Sequence, residues 1–158
     1  GIMIGNLLGA NLLKKAKNYA RRLTVLSIVI GVVSGVLLVA ATPIIMSITE
    51  LTPQAARYLK IMIAFTGVNL AAQSVNHVVL DGIFGAGGDA KFDMNTNIIF
   101  MWCICVPLSL MAAFWWKLSA PVVFCLCSMD EIIKLPAVFL HYRKYIWLRN
   151  ITRETQEV

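Results

Sequence analysis

Apolar residues fill most of this chain in long runs without charge. Three stretches of at least the ~20 residues that a helix needs to cross a bilayer contain no Asp, Glu, Lys or Arg, at 23–49, 61–80 and 94–116. A fourth apolar run, at about 118–142, is interrupted by Asp130, Glu131 and Lys134. The pattern predicts an all-α integral membrane fold with four transmembrane helices, at residues 23–49, 58–81, 94–116 and 119–142.

The segments that flank these runs are predicted to lie at the membrane surface. Residues 1–22 resemble the end of an apolar helix followed by a basic amphipathic helix on the headgroups, because apolar and basic positions alternate there at helical spacing. A short solvated connector helix is the alternative. Residues 143–158 are predicted to form a cytoplasmic tail. Because the chain begins with Gly1 and not with Met, we expect it to be part of a longer protein.

The composition supports a membrane location. Hydrophobic residues make up 59% of the chain and charged residues 14%, with a mean hydropathy of +0.76, which leaves too little polar surface to coat a soluble globule. The net charge is +6, but the basic residues cluster beside the apolar runs, which favours lipid headgroups as partners and not nucleic acid. Most of them fall on the side that holds both ends of the chain, so both termini are predicted to be cytoplasmic in a multi-pass protein of the cell membrane.

The second predicted span carries a polar stripe. Polar residues follow one another at steps of three and four, which places them on one helix face: Thr66, Asn69, Gln73, and Asn76 or His77. Unpaired amides are costly in hydrocarbon, so this face is predicted to look into the helix bundle. It is either a cavity wall that contacts a solute or coupling ion, or a set of inter-helix hydrogen bonds. His77 is either a satisfied interior histidine or a proton-handling group.

The fourth predicted span carries charges inside the membrane. If its helix starts near residue 120, a rise of ~1.5 Å per residue places Asp130 and Glu131 close to the bilayer midplane. Lys134 follows at i+4 and i+3, so a neutralising pair is available within the helix. Intramembrane charges are functional candidates. We expect these three residues to serve either conduction and gating or a structural ion pair, and Asp81 at the end of the second span is a further acidic candidate.

A glycine-rich segment, GIFGAGGDAKFD, joins the second and third predicted spans. It has no G-K-[ST] motif and follows no strand, which excludes a phosphate-binding loop of the Walker type. Its glycines permit a tight hairpin, and Asp93 stands where an N-cap for the third span is wanted. Asp89 is predicted either to pair with Lys91 or to remain a solvated turn charge.

Several smaller signals concern helix packing and helix ends. Gly31 and Gly35 provide a four-residue small-residue spacing that lets another helix approach. Thr52 is a predicted N-cap followed by Pro53, and Pro107 predicts a kink within the third span. The four cysteines, two residues apart within each pair on a predicted helix, point to different faces, which favours apolar packing over a metal site: Cys103, Cys105, Cys125 and Cys127.

Two segments resemble motifs of multidrug and toxic compound extrusion (MATE) transporters. IGNLLGANLLKKAKNYARR is similar to the segment that follows a transmembrane helix in that family, and GIFGAGGDAKF is similar to its second signature. The signature loop includes Gly82, Gly85, Gly88 and Asp89, with Gly85 in the place of a common arginine. Some branches carry an acidic cation-site residue where this chain has Gln73 and Ser74, so that ion site is not carried over.

The resemblance implies a twelve-helix protein of two lobes, of which this chain would form the end of helix 8 and helices 9 to 12. It also implies antiport, without a cofactor, of small cationic amphipathic compounds against Na⁺ or H⁺, and a partner lobe on the N-terminal side. A lipid-linked oligosaccharide flippase and a small four-helix structural protein are alternatives. A membrane-embedded enzyme is disfavoured because His77 and His141 lie on separate spans, without clustered metal ligands.

Overall fold

The computed structural model describes residues 1–150, and this part of the chain is helical with no strand. The predicted all-helical fold is therefore confirmed; the last eight residues of the predicted tail, 151–158, lie outside the described part. The helices in chain order are α1 (Ile2–Gly9), α2 (Leu13–Ala40), α3 (Thr42–Ile48), α4 (Pro53–Asn76, extended by the π-helical His77–Phe84), α5 (Ala90–Trp115), α6 (Ala120–Ser128) and α7 (Asp130–Arg143).

Helix α2 joins the basic segment and the first predicted span in one continuous helix. It begins at Leu13, so the predicted separate surface helix is instead the first part of α2. Its most extensive contact is with α4. A Cβ atom added to Gly31 would come within 2.8 Å of the Ala71 Cα, and one added to Gly35 within 2.1 Å of the Gly67 carbonyl oxygen. The predicted close packing at these glycines is confirmed.

Helix α4 begins as the sequence predicts. The Thr52 side chain accepts a hydrogen bond from the Ala55 N–H at 3.3 Å, and Pro53 fills the first turn. From His77 to Phe84 the backbone widens into π-helical turns, which end at the glycine-rich hairpin. Because a π-helix has more residues per turn than an α-helix, this widening rotates the following side chains away from the face that a 3.6-residue period predicts.

Helices α5, α6 and α7 depart further from regular geometry. Helix α5 is π-helical on both sides of Pro107, over Ile98–Cys105 and Met111–Trp115, where the proline removes a backbone donor. The fourth predicted span is two helices, because the chain leaves α-helical geometry at Met129 between α6 and α7. Asp130 and Glu131 therefore lie in a helix first turn, where the positive end of the helix dipole favours acidic side chains.

A buried hydrophobic cluster lies where α1, the start of α2, the end of α4 and the end of α7 meet. Its fully buried members include Ile4, Phe84 and Trp147. Elsewhere large apolar side chains are exposed over long faces of α2 and α5. Such surfaces are typical of helices that contact lipid or other helices.

Within the described residues, two helices are long and apolar enough to cross a membrane, Leu13–Ala40 and Ala90–Trp115. Two further predicted spans lack one of these properties for identifiable reasons. Helix α4 is long, but its amides and His77 lower its hydropathy. The last span is divided at Met129 into α6 and α7 and carries three charged side chains.

Candidate functional site

Lys134 is the centre of a buried group of charges on α7. Its side chain is only 3% exposed. Its ammonium group lies 2.9 Å from Glu131 Oε1 and 3.3 Å from Asp130 Oδ2, so the pairing predicted at i+3 and i+4 is confirmed. A buried charge is costly without partners, and this one has two carboxylates on its own helix.

Side chains of α4 and α5 connect to this group. Asn76 Nδ2 donates to the backbone carbonyl and to Oε2 of Glu131, both at 2.8 Å. Lys134 also donates to Asn97 Oδ1 at 2.9 Å, and Asn97 Nδ2 donates to Asp93 Oδ1 at 2.8 Å. Three helices are thereby joined by polar contacts, in a molecule whose other helix contacts are mainly apolar.

The group extends outward through two more residues of α4. His77 Nδ1 and Asp81 Oδ2 are hydrogen-bonded at 2.7 Å, and their side chains are 63% and 58% exposed. The Asp81 carboxyl group is in turn within hydrogen-bonding distance of the Asp93 carboxyl group of α5. We call the whole set the polar network: Asn76, His77, Asp81, Asp93, Asn97, Asp130, Glu131 and Lys134. It leads from an exposed pair to a buried ammonium group.

The polar network lines a small, partly open cavity of about 40 Å³, which we call the polar cavity. Leu80 and every network member except Asp130 line it. A space of this size holds one or a few water-sized species. The walls are mostly oxygen and nitrogen atoms, which suits a polar or charged occupant.

Two asparagines on α4 each leave one buried oxygen unpaired. Within the described residues, Asn76 Oδ1 and Asn69 Oδ1 accept no hydrogen bond. Asn76 is 2% exposed and lines the polar cavity, whereas Asn69 donates its Nδ2 to the Ser128 carbonyl oxygen at 2.9 Å, away from the cavity. Buried acceptors without partners are uncommon and costly.

The charges of the polar network do not balance. Four carboxyl groups, those of Asp81, Asp93, Asp130 and Glu131, accompany one ammonium group and one imidazole. The excess negative charge in a partly buried setting favours uptake of a cation or a proton.

Comparison with known proteins decides the family. The model of the MatE family matches residues 1–111. The chain belongs to the MatE family. MatE proteins are all-helical membrane transporters, which makes this chain a membrane transport protein, and the family is not one of enzymes in general. No curated protein and no solved structure matches the chain.

The polar stripe of this MatE protein is divided among different environments. Asn69 and Asn76 make inter-helix hydrogen bonds, and His77 faces outward. Gln73 is half-buried and makes no side-chain hydrogen bond within residues 1–150. The structure therefore brings Asn76, His77 and Asp81 into the polar network and leaves Asn69 and Gln73 outside it.

The signature loop differs in detail from its prediction. Asp93 is not the N-cap: α5 begins three residues earlier with Asp89 before it, and Asp93 lies in the first turn. Asp89 does not pair with Lys91 but is hydrogen-bonded to His141 Nε2 at 2.5 Å. Gly82 and Gly85 are helical, and Gly88 takes the left-handed backbone conformation of a turn, with φ of 72°. These residues do not line the polar cavity.

A contact between the signature loop and the C-terminal segment was not predicted. A Cβ atom on Gly87 would come within 2.3 Å of the Trp147 carbonyl oxygen, and Trp147 is fully buried. Arg149 Nε and Nη2 donate to the carbonyl oxygens of Gly87 and Gly88, both at 3.3 Å. A guanidinium group thus contacts this loop from about 60 residues away, although Gly85 replaces the arginine common in the signature.

Proposed function

We propose that this protein is part of a cation-coupled antiporter that exports small cationic amphipathic compounds by alternating access. The main support is the polar network, in which four carboxyl groups accompany a single ammonium group inside an apolar helical transporter. Intramembrane carboxylates of transporters mark ion and proton pathways. Na⁺ or H⁺ would supply the energy for the change between inward-open and outward-open states.

Gln73 is the proposed contact for the exported compound. Its amide is half-buried and makes no side-chain hydrogen bond in the described part of the chain, so both its donor and its acceptor are available to a solute. It lies one turn before Asn76 on α4, so a bound cation would also experience the negative charge of the polar network. Polar groups at the wall of an apolar pocket provide orientation and specificity.

The exposed apolar faces support a larger assembly. Side chains such as Ile30, Val36 and Trp102 are more than half exposed. We propose that the lipid bilayer covers part of this surface and that the N-terminal lobe of a two-lobe transporter covers the rest. The charge distribution favours the cell membrane, with both termini cytoplasmic.

A flippase for lipid-linked oligosaccharides is less well supported. Such a protein needs free cations in its cavity to neutralise a pyrophosphate group. Apart from Lys60, which is exposed near the start of α4, the only Lys or Arg within the predicted spans is Lys134, and its ammonium group is already bound by two carboxylates and by Asn97. This arrangement repels anions and favours a cationic substrate.

Ethidium accumulation in efflux-deficient cells tests the proposal. The full-length transporter should lower accumulation, and Gln73→Leu should raise it towards the level of cells without the transporter. Asn76→Leu should also weaken export, through the polar network. Gln54→Leu is a matched control on the same helix, because Gln54 is exposed near the other end of α4 and should export normally.

The two parts of the proposal fail separately. If Gln73→Leu and Asn76→Leu both export like the unmodified protein, the assignment of the substrate face is wrong. If the unmodified full-length protein exports neither ethidium nor any other organic cation of a test panel, drug antiport itself is wrong.

A further inference from the structure

We propose that the outer face of α2 binds one anionic phospholipid, with the lipid phosphate on Arg21 and Arg22 and an acyl chain along the apolar residues of the next two turns. Such a site differs from a general attraction of basic residues to the membrane surface, because it has one place on the protein and selects one class of lipid. It requires that the chain lies in a membrane, as MatE proteins do, and not that the chain is an antiporter.

An open groove of about 610 Å³ lies on α2 where the basic segment gives way to the apolar one. Six residues line it: Asn18, Arg21, Arg22, Val25, Leu26 and Val29. They follow one another at helical spacing, on the face of α2 opposite the buried residues Ala16, Ala20 and Ser27. The groove is therefore polar at one end and apolar at the other.

The basic end of the groove has no anionic partner among the described residues. The sequence contains no Asp or Glu before Glu50. Arg21 and Arg22 are both exposed, and neither takes part in a salt bridge within residues 1–150. Lys14 and Lys15 lie two turns earlier on the same face and add to the positive potential. This concentration of uncompensated charge favours an anion from outside the chain.

The arrangement of the polar groups suits a phosphate. Consecutive residues are about 100° apart around a helix, so Arg21 and Arg22 stand on the two sides of the groove, with Asn18 between them one turn earlier. Each guanidinium group can bind two phosphate oxygens at once. The Asn18 amide is a further donor for a phosphate or glycerol oxygen. The flexible arginine stems let both charged groups reach the headgroup level.

The apolar end of the groove favours a lipid over free phosphate. Val25, Leu26 and Val29 are each more than half exposed. With a rise of ~1.5 Å per residue, Val29 lies about 10 Å beyond Arg22 along α2, which is the direction in which an acyl chain leaves its headgroup. Free phosphate would leave these side chains uncovered. The basic end also falls on the side predicted to be cytoplasmic, and the cytoplasmic leaflet carries anionic lipids.

Native mass spectrometry of the purified full-length transporter with added lipid tests the inference. The first phosphatidylglycerol should bind more tightly than phosphatidylcholine with the same acyl chains, and millimolar inorganic phosphate should not displace it. The double variant Arg21→Gln/Arg22→Gln should weaken phosphatidylglycerol affinity at least fivefold and leave phosphatidylcholine affinity unchanged. Both arginines are exposed, so this variant should fold normally.

Arg143→Gln/Lys144→Gln is the matched control. It removes the same charge from exposed residues at the end of α7, on the same predicted membrane surface, and should bind phosphatidylglycerol like the unmodified protein. Equal weakening by the two double variants would overturn the site, because the charges would then act only through general attraction.

Two further outcomes would also overturn the lipid site. Equal affinity of the unmodified protein for the two lipids would mean that other helices of the transporter cover this face of α2. Displacement of phosphatidylglycerol by inorganic phosphate would mean that only an anion is bound, without its acyl chain. Export of ethidium is measured separately, so failure of the lipid site leaves the antiport proposal unchanged.

Discussion

Helix α4 makes two helix contacts of opposite character. Towards α2 it presents Gly67 and Ala71, and the two backbones approach so closely that Gly35 has no room for a Cβ atom. Towards α5 and α7 it presents Asn76, which hydrogen-bonds to Glu131 beside a buried lysine. One contact depends on the absence of side chains and the other on polar side chains.

The difference follows from the membrane as a solvent. Lipid tails are as apolar as leucine, so burying leucine between helices gains little, and helices associate through close packing or through polar bonds. Close packing at the α2 contact fixes geometry but offers nothing to a ligand. The polar contact costs desolvation energy, but it places charged and hydrogen-bonding groups inside the helix bundle, where such groups are functional candidates. The first contact is suited to a rigid scaffold and the second to function.

The largest expected effect comes from breaking the polar contact at its centre. Lys134→Met leaves the Asp130 and Glu131 carboxylates next to each other without a counter-charge. Removing one partner of a buried ion pair typically costs about 3–5 kcal/mol of folding free energy. The melting temperature of the purified full-length protein in detergent should fall strongly, and addition of Asp130→Asn and Glu131→Gln should restore much of it.

Lys60→Met is the control for this experiment, because Lys60 is exposed on α4 and its loss should change the melting temperature little. Equal melting temperatures for Lys134→Met and the unmodified protein would contradict the buried ion pair.

A smaller but clear effect is expected from adding one methyl group to the apolar contact. In Gly35→Ala the new Cβ meets the backbone of Gly67, which cannot rotate away as a side chain would. Overpacking of this kind costs about 1–3 kcal/mol, so the melting temperature should fall.

Gly5→Ala is the matched control, since a Cβ at Gly5 meets only the Ala86 Cβ at 3.9 Å and alanine is the better helix former. A Gly35→Ala protein as stable as Gly5→Ala would mean that α2 and α4 do not pack at these glycines.

Much of this comparison was visible in the sequence. The spacing of Gly31 and Gly35 predicts a close helix contact, and the spacing of Asp130, Glu131 and Lys134 predicts their pairing. The sequence did not identify Gly67 and Ala71 as the residues that Gly35 and Gly31 contact. Small residues indicate that another helix can approach closely, but they do not indicate which helix does so. It likewise missed the pairing of Gly87 with Trp147, which joins residues far apart in the chain.

Other parts of the site were hidden by irregular backbone. Regular α-helical geometry ends at Asn76, and the π-helical turns over His77–Phe84 shift the phase of the residues that follow, including Asp81. The break at Met129 has no glycine or proline to announce it. The prediction that Asp93 is the N-cap of the third span was wrong because Asp89, about one helical turn earlier, takes the N-cap position and α5 begins at Ala90.

The smallest expected effect concerns the exposed end of the polar network. His77 and Asp81 are as close as the buried pairs, at 2.7 Å, but their side chains are mostly exposed, and water competes for both partners. Exposed ion pairs contribute little, so His77→Ala should change the free energy of unfolding by less than about 0.5 kcal/mol. The melting temperature of His77→Ala is compared with that of Lys134→Met. The His77–Asp81 and Lys134–Glu131 contacts belong to the same network and have similar distances, so a difference in melting temperature is due mainly to their different burial. If His77→Ala were as destabilising as Lys134→Met, the exposure of the His77–Asp81 pair would not explain the difference in stability between the exposed and the buried end of the polar network. In that case His77 would have to be buried by parts of the transporter outside residues 1–150.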